Sequence, residues 1–135
     1  MSDFYIIDTH ALLWYLDNSN RLGKRAGEIL NDRSARFWLP AIALAEALFL
    51  LEKGRGQYAL SERRVLASVR ADSRIRTIAL GQRILDITLH CKSIDEMHDR
   101  QIVATALFIQ NRGFAVAVLT KDANITQSGL VACVW

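Results

Sequence analysis

Cysteine and proline are scarce in this chain of 135 residues, which holds two of the first and one of the second. Cys91 and Cys133 form no CxxC pair and no metal-ligand spacing. A disulfide framework and a cysteine-based zinc site are therefore excluded, and buried free thiols in a reducing compartment are expected. Long apolar runs are missing too. The longest, Ala41 to Leu51, is interrupted by Glu46 and is too short to cross a bilayer, so no membrane association is expected. No basic region or cleavage site precedes the first apolar segment, which points to the cytoplasm. Internal repeats and dividing linkers are lacking, and one domain over residues 1–135 is expected. Neither GxxxxGK[ST] nor GxGxxG occurs, so two phosphate-binding loops are ruled out. Charge is nearly balanced, with 17 basic and 14 acidic residues and a net charge of +3. That excess is compatible with a polyanionic partner and does not require one.

What the chain does have is an apolar half, 51 % of its residues, which suffices for a core without staples. Phe4–Ile7 is a continuous apolar run of strand length, as in a parallel strand covered on both faces. A short helix over His10–Leu16 follows, which Thr9 or Asp8 can cap, then a helix over Leu22–Leu30. Arg36–Leu39 reads as a strand, and Pro40 as the first residue of a helix that stops at Gly54. Gly54-Arg55-Gly56 is a turn signal. Ser61 opens a helix to about Ala71, and Ile75–Leu80 is a third strand. A helix over Gly81–Leu89 precedes a longer one ending at Gly113. Val116–Leu119 and Leu130–Trp135 complete five strands. Strands alternating with helices predict an α/β fold with a mostly parallel sheet of four or five strands. Ligands of such folds gather beyond the carboxyl ends of the strands.

Four carboxylates fall in places that ordinary surface chemistry does not require. Asp8 ends the first strand and Asp122 follows the fourth; each suits a helix cap equally well. Glu46 shares its helix face with Ile42, Ala43, Phe49 and Leu50, which predicts a buried carboxylate in need of a cation. Asp99 shares a side with Ile102 and Val103, although a place in the first helical turn also favours an acid. Ser93 to Glu96 matches a capping box, which assigns Glu96 mainly to the cap. Thr120 can donate its hydroxyl to a neighbouring carboxylate. Carboxylates gathered on one sheet edge repel unless a cation neutralises them, and Mg²⁺ or Mn²⁺ prefers such oxygen ligands. Hydrolysis of a phosphodiester is the chemistry that this set serves. The three histidines, His10, His90 and His98, match no zinc spacing with Cys91 and are read as packing residues. Arg100 and Lys121, beside two of the acids, are the candidates for contact with substrate phosphate.

"IIDTHALLWYL", "AEALFLL", "EMHDRQIVATAL" and "VLTKDANI" resemble the four acidic motifs of PIN-domain ribonucleases, in their VapC-like toxin branch. The resemblance runs from Ile6 to about Ile125. It implies a three-layer α/β/α sandwich and a metal-dependent endoribonuclease whose acids map to Asp8, Glu46, Asp99 and Asp122, with Thr120 in support. It also implies an antitoxin partner, a homodimer and an RNA substrate. One departure stands out: relatives carry Asp-Pro-x-Asp-Arg around the third acid, and this chain has Glu96-Met97-His98-Asp99-Arg100. A DNA nuclease and a non-catalytic PIN-like binding module are the competing readings.

Overall fold

The computed structural model describes residues 1–54 and 58–135, so Arg55 and Gly56 of the expected turn lie outside the described residues. Five strands form one parallel sheet: β1 (Phe4–Ile7), β2 (Phe37–Pro40), β3 (Ile75–Ile78), β4 (Val116–Leu119) and β5 (Ala132–Val134). Their order is β3-β2-β1-β4-β5. The chain first builds outward from β1 through β2 to β3, then returns to the other side of β1 for β4 and β5. The direction of winding thus reverses between β1 and β4, which opens a crevice at their carboxyl ends. Ile7 is in register with Leu119, so Asp8 and Thr120 leave the sheet side by side.

Among the described residues, seven helices cover the sheet: α1 (Thr9–Leu16), α2 (Lys24–Asn31), α3 (Ala41–Glu52), α4 (Glu62–Ala71), α5 (Gln82–Thr88), α6 (Met97–Gln110) and α7 (Ala123–Thr126). This is the expected α/β/α sandwich. Burial on both faces explains why β1 and β4 are unbroken apolar runs: Ile6, Ile7, Val118 and Leu119 are wholly buried. No helix is long and apolar enough to cross a membrane among the described residues.

Helix starts depart from the sequence reading in instructive ways. Of the two candidate caps of α1, Asp8 is the one used: its Oδ1 accepts from the Ala11 N–H at 2.8 Å. Pro40 ends β2 and is the N-cap of α3, one place before its expected position. The Ser93 capping box does not form. Ile94 is drawn into the core, and the chain turns there, so α6 starts at Met97 with Glu96 as its cap. Ser61 does cap α4, and Gly54 follows α3 with φ +64°, as a helix stop requires. Cys91 is buried as expected, whereas Cys133 is only half-buried because β5 is an edge strand.

α3 corrects the expected burial of Glu46. Only Ala43 and Ala47, one turn apart, are fully buried on α3, while Ile42, Leu44, Leu48, Leu50 and Leu51 pack against the core from partly buried positions. Ile42 and Leu50 are half-buried, Phe49 is exposed, and Glu46 stands among them half-buried. Because α3 is apolar all round, periodicity could not reveal which face is covered.

Candidate functional site

The crevice between β1 and β4 collects the acids through a run of short side chains and tight turns. Asp8 comes from the end of β1 and is 6 % exposed. Thr120, one residue beyond β4 and 1 % exposed, presents its hydroxyl to the Asp8 carboxylate and accepts the Asp122 N–H at 3.0 Å. Asp122 caps α7 by accepting the Asn124 N–H at 2.8 Å. The Asn124 side-chain amide in turn donates to Asp99 at 3.1 Å. The Asp99 N–H donates to Glu96 at 2.9 Å as the cap of α6. The second oxygen of Glu96 lies 2.9 Å from His98 Nδ1, which also faces Glu46 at 3.6 Å. A carboxylate accepts and does not donate, so Nδ1 carries the proton. Asp8, Thr120, Asp122, Asn124, Asp99, Glu96, His98 and Glu46 therefore form one continuous polar path.

Electrostatics mark the same set. Burial raises the Asp8 carboxyl to about 6, and nearby Asp122 adds to the rise; the Thr120 hydroxyl, the Ala11 N–H and His10 oppose it. Asp99 is also pushed up to about 6, chiefly by burial, with Asp122, Glu96 and Glu46 repelling its charge and Asn124 favouring it. Burial works against ionised Glu96, but the Asp99 and His98 N–H groups and the His98 ring hold it below the usual range. Among the described residues, no lysine or arginine forms an ion pair with any of these acids.

No three Asp, Glu, His or Cys side chains converge tightly enough to grip a metal ion as they stand, among the described residues. Thr120 and Asn124 stand between the acids along this path. The set nevertheless has the character that a hard divalent cation requires. Its donors are carboxylate oxygens, they feel one another's charge, and no lysine or arginine among the described residues forms an ion pair with them.

The two candidates for phosphate contact differ. The Arg100 guanidinium is held by backbone carbonyls, with Nε and Nη2 donating to Ile94 at 2.9 and 2.6 Å. It fastens the α5–α6 connection. Lys121 is exposed, and its Nζ lies 4.8 Å from the centroid of the Trp14 ring, beside Asp8 and Asp122. Sequence reasoning missed Asn124 and the part of His98. The signal for Asn124 was its place in "VLTKDANI", four residues after Thr120; for His98 it was its position between Glu96 and Asp99.

A family profile described as the PIN domain matches residues 5–128. No curated protein matches the chain. Solved structures of the same fold include VapBC2 from Rickettsia felis bound to a DNA fragment from the promoter, at 12 % identity and a TM-score of 0.67, with 97 % of each chain covered. FitAB bound to a DNA fragment aligns at 17 % identity and a TM-score of 0.65, covering 96 % of this chain and 93 % of that one. FitAcB from Neisseria gonorrhoeae aligns at 18 % identity and a TM-score of 0.58, covering 96 % and 95 %.

Proposed function

Since the chain belongs to the PIN-domain family, we propose that it is a metal-dependent endoribonuclease, the toxin of a toxin–antitoxin pair, folded as one domain and acting in the cytoplasm. The observation that carries this reading is the polar path at the strand-winding reversal, which links Asp8, Asp122 and Asp99 through Thr120 and Asn124 and reaches Glu46 through Glu96 and His98. Asp8, Glu46, Asp99 and Asp122 would hold Mg²⁺ or Mn²⁺. Such a cation, when bound, supplies a water nucleophile near neutral pH and offsets charge on the phosphoryl oxygens. Thr120 orients Asp8, and Asn124 fixes Asp99 against Asp122. Lys121 draws the substrate phosphate toward the acids, which would otherwise repel it. Glu96 keeps the first turn of α6 in place, so that Asp99 is aimed at the crevice.

An antitoxin, and a second copy of the chain, find apolar surface outside the crevice. Phe49 on α3, Leu85 on α5, Leu89 just beyond α5 and Met97 at the start of α6 are exposed, and α6 packs against both α3 and α5. Both solved complexes with DNA contain a toxin–antitoxin pair, which supports an antitoxin partner for this chain.

RNA and DNA oligonucleotides of one sequence, incubated with the protein and Mn²⁺, test the substrate. The expected result is cleavage of the RNA with the DNA left intact, because discrimination rests on 2′-hydroxyl contacts. Equal cleavage of both would assign a general nuclease instead.

A further inference from the structure

Beside the acids lies a pocket of about 230 Å³ that is acidic on one side only. Asp8 and Asp122 form one side, and His10, Trp14, Lys121 and Trp135 form the rest. Three of these side chains are aromatic rings and the fourth is a cation. The rings come from distant parts of the chain. His10 and Trp14 lie one helical turn apart on α1, with centroids 5.2 Å apart. Trp135 follows the edge strand β5 and meets Trp14 edge-on at 5.7 Å.

This aromatic wall is built with care for position. Trp14 is 7 % exposed and has Lys121 over its ring at 4.8 Å. Trp135 sits directly on Gly23, where an added Cβ would lie 2.5 Å from its indole. Only glycine leaves that space, so residue 23 sets where the indole lies. His10 is exposed and Trp135 half-buried, so both can meet an incoming ring. The pocket is smaller than the ~300–1,000 Å³ of sites for drug-sized ligands. That size suits one planar ring system and not a stacked pair.

We propose that the pocket walled by His10, Trp14 and Trp135 is a subsite for a single unpaired nucleobase flanking the scissile phosphate, with Lys121 at its rim for the attached phosphate. The subsite rests on the nuclease reading for its place beside the cut. Stacking on an aromatic face is open to every base, since each has a π surface, and so the wall selects a splayed base over a particular letter. A base within a duplex has both faces covered by its neighbours. The substrate class is therefore single-stranded RNA, or a loop or bulge in a folded one.

Adenosine and ribose test the subsite without phosphate, so the carboxylates repel neither probe. Titrations in EDTA, read by quenching of tryptophan fluorescence and by calorimetry, compare the two. The expected result is adenosine binding at least about tenfold more tightly than ribose, the order that one base–aromatic stack provides. Trp135→Ala is expected to erase most of that preference. His10→Ala, at an exposed position that leaves the core intact, is expected to weaken it several-fold. Equal binding of adenosine and ribose by the wild-type protein would overturn the proposal, as would a preference that survives in both variants. Cleavage is scored separately: adenosine preference without RNA cleavage in Mn²⁺ would keep the subsite and remove the nuclease reading.

Discussion

Asp8→Asn is expected to stabilise the metal-free protein at pH 7.5 while lowering RNA cleavage by more than ~100-fold. The two effects separate the roles of this side chain. Asparagine caps a helix as well as aspartate does, so the bond to the Ala11 N–H survives. What is lost is the charge. The folded state holds the Asp8 carboxyl at about 6 against an ordinary value of 3.8. Asp8 therefore favours the fold fully below pH 3.8, and that contribution fades as pH rises and is gone above about 6. The ionised group then costs about 3 kcal/mol at pH 7.5, at ~1.4 kcal/mol for each unit of displacement. Removing the charge should return much of that, a gain of several degrees in melting temperature. The gap between wild type and Asp8→Asn should close as pH falls toward 4. Cleavage should drop beyond the ~10–100-fold typical of losing a group that merely supports a metal ligand. A variant of unchanged stability that is still active would make Asp8 a cap and nothing more.

Manganese is expected to raise the melting temperature of the wild-type protein strongly at pH 7.5 and hardly at all at pH 5. The sign follows from Asp8 and Asp99, both pushed up to about 6. At pH 7.5 both are ionised, each repelled by Asp122, and free to accept a cation. At pH 5 protons occupy them and compete with the metal. At a hundredfold excess over its dissociation constant, one bound ion stabilises by about 2.7 kcal/mol. Differential scanning fluorimetry over a Mn²⁺ titration at the two pH values reads this directly. A shift of the same size at both would place the ion elsewhere on the surface.

The strand-end acids were legible in the sequence because their signals are local. Apolar runs of strand length ending in Asp8 and, two residues on, in Thr120 and Asp122 mark the carboxyl edge of a parallel sheet without any knowledge of its order. The order itself depends on which side of β1 receives β4, and no local pattern carries that. Glu46 was misjudged for a related reason. A helix that is apolar all round hides its buried face, and the small residues Ala43 and Ala47, not the large ones, turned out to be the fully buried ones. The start of α6 was displaced by Ile94, whose burial outweighs the capping box that Ser93 and Glu96 would have formed. Asn124 and His98 connect acids from different elements, and Trp135 reaches Trp14 across nearly the whole length of the chain. Such pairings follow from topology, which is why they emerged only with the fold.

The central claim is that the four acids cut RNA by holding a divalent cation. Its most direct test is cleavage of one labelled RNA by the wild-type protein after EDTA treatment, before and after Mn²⁺ is restored. The account predicts no cleavage in EDTA and full recovery with Mn²⁺. Cleavage undiminished in EDTA, or none with Mn²⁺ present, would contradict it.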